Sequence, residues 1–323
     1  MTFLPFGCVS QESVPLLAVG CNRYSLSRST LISGTGAAMQ EFAGKTAVVT
    51  GAASGMGLSM SRRFAAEGMN VVLADIEESA LQAQVAQLMS EGSAVLGVTT
   101  DTMQRASVEE LRDRAIDHFG NIHLLCNNAG VTGLDDAVGV IGGVNLTWDV
   151  PLNTWEWVMG VNFWGVLYGI QAFVPHMLAH HEEGHVVNTA SLAGLLPGGS
   201  AYSVSKHAVL ALTEGLYQQF EHIGANLSAS ALCPGVVRTN LHRAERNRPR
   251  DLGERLMEVP NEMAESIEGF MATAMDPEDI ADQVVEAIIE RRCYILPHVE
   301  EDDSIRGRTE YVLARGAPFP IPL

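Results

Sequence analysis

Thr46-Ala47-Val48-Val49-Thr50-Gly51-Ala52-Ala53-Ser54-Gly55-Met56-Gly57 runs from a β-branched strand pattern through a glycine-rich turn straight into a helical pattern. Three glycines between a strand and a helix permit a tight turn and close backbone approach. Outward from this stretch, short apolar runs alternate with helical periodicity, the mark of β-α-β units and a parallel sheet. The strands are expected at Thr46 to Thr50, Val71 to Asp75, Ala94 to Thr99, Ile122 to Asn127, His185 to Ala190, Leu227 to Cys233 and Tyr294 to Leu296. The helices are expected near Met56 to Glu67, Ser79 to Glu91, Val108 to Phe119, Thr154 to His180, Ala201 to His222 and Pro277 to Arg291. The implied class is α/β: a doubly wound, parallel, seven-stranded sheet with helices on both faces, a Rossmann-like architecture.

In that architecture the turn has a chemical meaning, because a pyrophosphate sits against the N–H groups at the start of the first helix. An acid, Asp75, ends the second strand about 20 residues on, where it can accept hydrogen bonds from the adenosine ribose and repel a 2′-phosphate. With no Lys or Arg in the turn itself, the cofactor expected is NAD, with NADP disfavoured. The competing role for Asp75 is to cap the following helix.

The bulk properties narrow the rest. At 323 residues, 47% hydrophobic and 18% charged, the chain has the composition of one folded domain of this class. A formal charge of −18 repels a phosphate backbone, so nucleic acid is not an expected partner. Cys8, Cys21, Cys126, Cys233 and Cys293 form no C-x-x-C pair, which suits a reducing compartment. No unbroken apolar run approaches the roughly 18 residues of a membrane span, so no membrane association is expected. The catalytic domain is assigned to residues 39–300, with 301–323 as a C-terminal tail. Residues 1–38 are Ser- and Thr-rich, with Glu12, Arg23 and Arg28 as their charges. They are read as a disordered extension, an organelle transit peptide, or a start-site artefact ahead of Met39. The location expected is the cytoplasm, or an organelle if the leader is a transit peptide.

The ordered set T-G-x-x-x-G-x-G, Asn127-Asn128-Ala129-Gly130, Asn162, Ser191, Tyr202-x-x-x-Lys206 and Pro234-Gly235 resembles the short-chain dehydrogenase/reductase family from about Lys45 to Leu296. The resemblance implies a catalytic tetrad of Asn162, Ser191, Tyr202 and Lys206, and a homodimer or homotetramer. It implies cofactor contacts from the turn (Gly51, Ser54, Gly55, Met56, Gly57), from Asp75, and from Asp101 and Thr102 on the adenine side. Asn128, Ala129 and Gly130, with Asn127, line the cleft. Tyr202, Lys206, Pro234, Gly235 and Val237 complete the set, and Thr239 matches the position that binds the carboxamide. For Asp101 a simple turn-capping role competes. Tyr202 stands 11 positions after Ser191, a spacing short for the family.

The chemistry follows from the residues too. Oxidising an alcohol carbon requires that the hydroxyl proton leave as the carbonyl forms. A tyrosine titrates near pH 10, but Lys206, one helical turn from Tyr202, favours the phenolate. Lys206 can also hold ribose hydroxyls, and Ser191 can orient the substrate oxygen. Asn162 interrupts a strong helix pattern where Asn has poor propensity; the resemblance gives it a water relay to Lys206. The function expected is an NAD(H)-dependent oxidoreductase interconverting a secondary alcohol and a ketone. The alternative is a non-catalytic NAD-binding regulatory or scaffold protein.

Other features point less far. His181-Glu182-Glu183-Gly184-His185 spells the zinc-protease pattern, but Gly184 stops the helix that the pattern needs, so no metal is expected. The sequons at Asn145 and Asn226 have meaning only in a secreted chain. Residues 240–275, carrying Met257, Met263, Met271 and Met275, read as a flap over the site or as ordinary packing. With Leu134, Val140, Ile141, Leu146 and Trp148 in the segment 131–151, they suggest a roomy apolar pocket and a bulky substrate.

Overall fold

The structure, a computed structural model, describes residues 39–133, 146–253, 269 and 271–320. Seven strands, β1 (Thr46–Thr50), β2 (Asn70–Asp75), β3 (Val95–Thr99), β4 (Leu124–Asn127), β5 (Gly184–Thr189), β6 (Leu227–Leu232) and β7 (Tyr294–Ile295), form one sheet. Their order is β3-β2-β1-β4-β5-β6-β7, with every pairing parallel. The helices are α1 (Gly55–Ala66), α2 (Glu78–Ser90), α3 (Arg105–Phe119), α4 (Leu152–Ala179), α5 (Ala201–Ile223), α6 (Pro277–Glu290) and α7 (Asp302–Leu313).

Alternation along the strands divides the core. Ala47, Val49, Val71 and Leu73 face Met60 and Phe64 of α1, Leu81 of α2, and Ile280, Val284 and Ile288 of α6. Val48, Val72, Leu125 and Val186 face Leu111 of α3, Phe173 and Met177 of α4, and Val209 and Phe220 of α5. Burial on both faces explains why the strands read as near-continuous apolar runs. A fully buried ring such as Phe64 or Phe173 contributes about 1.5–3 kcal/mol by removal from water.

Two elements depart from the sequence reading. Residues 302–313, expected as tail, form α7, none of whose side chains is buried; Tyr311 meets Phe319 edge to face at 5.6 Å. A search for unbroken apolar runs overlooks α4, whose 28 residues are long and apolar enough to cross a membrane. Here 56% of its apolar window is buried in the protein, packed on α3 and β4. Residues 1–38 lie outside the described part.

The strand order reverses between β1 and β4, and in such sheets ligands bind outside the C-terminal ends of the strands at that switch. The segments after β1, β2, β4, β5 and β6 converge there.

Candidate active site

A cavity of about 800 Å³ opens at this switch. The glycine-rich turn forms one wall. Gly51 adopts φ +67°, and a Cβ there would come within 2.9 Å of the Ala129 backbone; one on Gly57 would collide with the Gly51 carbonyl. Ser54 precedes α1 without a side-chain cap, so the first-turn N–H groups, which a helix cannot satisfy itself, remain for an anion. Thr50 stitches the turn to the end of β4: its Oγ1 accepts from Asn128 N (2.9 Å) and Ala129 N (3.0 Å). Asn128 Nδ2 donates back to the Thr50 carbonyl at 3.0 Å. A cradle with no room for a Cβ at Gly51 or Gly57, beside an uncapped helix start, fits a dinucleotide pyrophosphate.

At the far end of the cradle, Asp75 fixes the local backbone: Oδ2 accepts from Ala53 N (2.9 Å) and Oδ1 from Glu77 N (3.0 Å). Helix α2 begins after Glu77, so Asp75 is not its N-cap. Asp101 Oδ1 accepts from Met103 N at 2.9 Å, the turn-forming role that competed for it, while the residue also lines the cavity.

Of the other residues singled out, Ser54, Gly55, Met56, Thr102, Asn128, Ala129, Gly130, Pro234, Gly235, Val237 and Thr239 line the cavity with Ser191, Tyr202 and Lys206. Asn127 is a correction: it points beneath α4, where Nδ2 donates to Asn188 Oδ1 at 2.9 Å and a Cβ on Gly169 would strike it. Gly57 and Asn162 also stay behind the wall, supporting it.

Helix α5 opens with Ser200, whose Oγ accepts from Ser203 N at 3.1 Å, and presents Tyr202 and Lys206 one turn apart. Lys206 is 3% exposed; its Nζ donates to the Thr189 carbonyl at 2.7 Å and lies 5.5 Å from the centre of the Tyr202 ring. Burial pushes its pKa down to about 8, since a desolvated ammonium is disfavoured. Ser191 Oγ accepts from Ala193 N (3.2 Å) and donates to the Pro234 carbonyl (3.3 Å).

Asn162 sits in a π-helical turn, Gly160–Trp164, within α4. The poor helix propensity seen in the sequence thus coincides with a break in the helical hydrogen-bond ladder. Its Oδ1 accepts from Val131 N at 2.8 Å, and its Nδ2 donates to the Val131 carbonyl at 2.9 Å and to Ser205 Oγ at 3.1 Å. Ser205 Oγ in turn donates to the Tyr202 carbonyl at 2.7 Å. A Cβ on Gly130 would meet Asn162 Oδ1 at 3.5 Å and Lys206 Nζ at 3.6 Å, so that glycine keeps the space between them open.

Several contributors escaped the sequence reading. Thr189 acts through its carbonyl, which no side-chain pattern reports. Beyond the motifs, His298 follows β7 and braces the loop after β6: Nδ1 accepts from Gly235 N and Nε2 donates to the Val236 carbonyl, each at 3.1 Å. Arg246 and Glu77 also line the cavity, as do Leu241, Ala244 and Met271, whereas Met275 packs on the core. Leu146 and Trp148 are exposed, Trp148 by 79%, and do not line this cavity. Leu134, Val140, Ile141, Met257 and Met263 lie outside the described residues. In the zinc-protease-like string, His181 has φ +60° and His185 is a strand residue bonded to Ser230 Oγ at 2.7 Å, so the two share no helical face.

The short chain dehydrogenase family profile matches residues 45–250. The chain belongs to the short-chain dehydrogenase/reductase family. Like its relatives, this short-chain dehydrogenase/reductase is an oxidoreductase with a nicotinamide dinucleotide site and a small-molecule substrate. It is 35% identical to a 1-deoxy-11-beta-hydroxypentalenate dehydrogenase of Streptomyces arenae, over 86% of this chain and 90% of that one. It is 36% identical to 3beta-hydroxysteroid dehydrogenase 2 of Eggerthella lenta, over 62% and 73%. A short chain dehydrogenase/reductase from Burkholderia phymatum, solved in complex with NAD, superposes with a TM-score of 0.80 at 40% identity, covering 88% of this chain and 99% of that one.

Proposed function

We propose that this oxidoreductase uses NAD(H) to interconvert a secondary alcohol and a ketone, with Tyr202 as general acid/base. The observation that carries the reading is the buried Lys206 ammonium 5.5 Å from the Tyr202 ring, at the wall of the cavity. The nicotinamide, when bound, supplies the hydride acceptor or donor. Tyr202 takes the hydroxyl proton from the alcohol oxygen, or returns it to the ketone oxygen. Lys206 stabilises the phenolate electrostatically and is placed to hold ribose hydroxyls. Ser191 orients the substrate oxygen from the β5 end, and Asn162 locks Val131 and the first turn of α5 so that these groups keep their spacing.

NAD over NADP is supported by Asp75, whose carboxylate lines the cavity beside the cradle and opposes a 2′-phosphate, and by the NAD bound in the Burkholderia relative. A bulky, apolar substrate is supported by Val131, Leu192, Leu196, Leu241 and Met271 along the wall, and by the polycyclic alcohol in the name of the steroid dehydrogenase relative.

Substituting Tyr202→Phe tests the mechanism. Turnover should fall by about 10²–10⁴-fold, the range of general acid–base contributions, with NADH affinity measured by fluorescence titration retained. Near-normal turnover would overturn the assignment of the proton to Tyr202.

A further inference from the structure

Among the described residues lining the cavity, Lys206 and Arg246 are the lysine and arginine cations, and they sit at different ends. Lys206 belongs to the catalytic end. Arg246 lies in the 3₁₀ segment Leu241–Asn247 after β6 and reaches across to the end of β2. Its Nε and Nη2 donate to Glu77 Oε1 at 3.1 and 2.5 Å, and Asn247 Nδ2 donates to the same oxygen at 3.0 Å. Its remaining nitrogen, Nη1, donates to the carbonyls of Asn240 (3.2 Å) and Arg243 (2.8 Å). The guanidinium is therefore held from behind by its own segment, with the Nε/Nη2 edge turned toward β2.

That edge is the fork with which arginine grips a carboxylate or a phosphate. Glu77 occupies it, and Glu77 is two residues from Asp75, its own N–H bonded to the Asp75 carboxylate. Arg246 also holds the Glu77 carboxyl below the ordinary carboxylate range, so the clasp is charged at neutral pH. The protein thus places a guanidinium at the ribose end of the cleft and neutralises it with a second acid.

We infer that Glu77 is a determinant of cofactor choice: it occupies the fork of Arg246 and so withholds from a 2′-phosphate the cation that would bind it. Asp75 repels that phosphate, and Glu77 removes its natural partner. The inference rests on the NAD reading above.

Binding fragments without the nicotinamide keep the test apart from turnover. ADP-ribose and 2′-phospho-ADP-ribose are titrated calorimetrically into the wild type, Glu77→Gln, Arg246→Gln and the double variant, with thermal melts to check folding. Glu77→Gln should tighten the 2′-phosphorylated fragment relative to the plain one by about tenfold, the size of one charge-assisted contact. Adding Arg246→Gln should abolish that gain. An unchanged ratio in Glu77→Gln overturns the inference, and so does a gain that survives loss of Arg246, which would reflect simple repulsion by Glu77. Failure of the NAD reading would show elsewhere, as a wild type that already prefers the phosphorylated fragment.

Discussion

The two rims of the sheet are both rich in titratable side chains, and they use them in opposite ways. At the C-terminal rim, Tyr202, Lys206 and Ser191 face a cavity. At the N-terminal rim, histidines bond the backbone. His123 accepts from Thr46 N at 3.1 Å and donates to Glu182 at 2.7 Å; His180 accepts from Glu182 N and donates to the Ile122 carbonyl at 2.9 Å; His176 accepts from Ile122 N at 3.4 Å. A histidine nitrogen that accepts a backbone N–H cannot take a proton without breaking that bond. The lower rim therefore ties its histidines to the backbone, while the upper rim turns its titratable groups toward a cavity. Residue type alone does not separate function from structure; what the side chain faces does.

The largest effect that would break this contrast is at Lys206. Lys206→Met should lower kcat by at least about a hundredfold, while removal of the Glu182 carboxylate on the other rim should leave kcat alone. Because burial holds the Lys206 pKa down at about 8, its charge is lost as pH rises through that value. Because kcat/KM for the cofactor reports the groups of the free enzyme, it should accordingly fall on the alkaline side with an inflection near there. A flat profile from pH 7 to 10 would mean that the lysine charge does not support the phenolate.

Next in size is Asn162, which lies at the catalytic rim yet is locked like the histidines. Asn162→Ala strips the side-chain partner from both the N–H and the carbonyl of buried Val131, and should cost about 1–3 kcal/mol in a denaturant titration. Asn162→Asp keeps the acceptor for Val131 N but sets a second oxygen against the Val131 carbonyl in a fully buried site, so it should cost at least as much. Equal stability in all three would separate Asn162 from the support of the site.

The order of elements was legible in the sequence because the central strands are buried on both faces and helix ends carry local signals. Asp276 before α6, whose carboxylate accepts from Glu278 N, and Gly224 in the left-handed conformation after α5 are such signals. Ser191, Tyr202 and Lys206 were legible because two stand at i, i+4 and the third ends a strand. Asn127 was misplaced because adjacent strand residues face opposite sides, and a motif of four residues does not say which of two asparagines meets the ligand. His298 and Arg246 left no pattern: each reaches its partner across more than sixty residues of chain, a proximity made only by the sheet order. Helix α7 was missed because it buries no apolar stripe, which is what periodicity detects.

His185 carries the comparison to the lower rim's own observable, acid stability. It is fully buried in β5; Ser230 Oγ donates to the Arg292 carbonyl at 2.5 Å and so receives the His185 Nε2 proton. Burial pushes its pKa down to about 3, whereas the unfolded chain titrates near 6.5. Between those values the unfolded state binds the additional proton, so this contribution is complete above about pH 6.5 and is lost as pH falls toward 3. The loss should approach about 1.4 kcal/mol per pH unit. His123 and His176, both held low chiefly by burial, act with the same sign. His185→Gln should flatten the acid limb in urea titrations at pH 4 to 7; an unchanged slope would mean that histidine burial does not set it.

The smallest effect distinguishes burial from pairing at that rim. Glu182 receives the His123 proton, yet its side chain is half exposed, and an exposed partner is largely screened by water. Glu182→Gln removes the charge that opposes desolvation of His123, so the His123 pKa should fall further, readable by NMR titration of the ring. Stability at pH 7 should change by no more than a few tenths of a kcal/mol, because His123 is already neutral there and Gln can still accept its proton. A loss comparable with that at Asn162 would show that the lower rim depends on an ion pair, and the contrast between a rim of backbone-bound histidines and a rim of working charges would have to be redrawn.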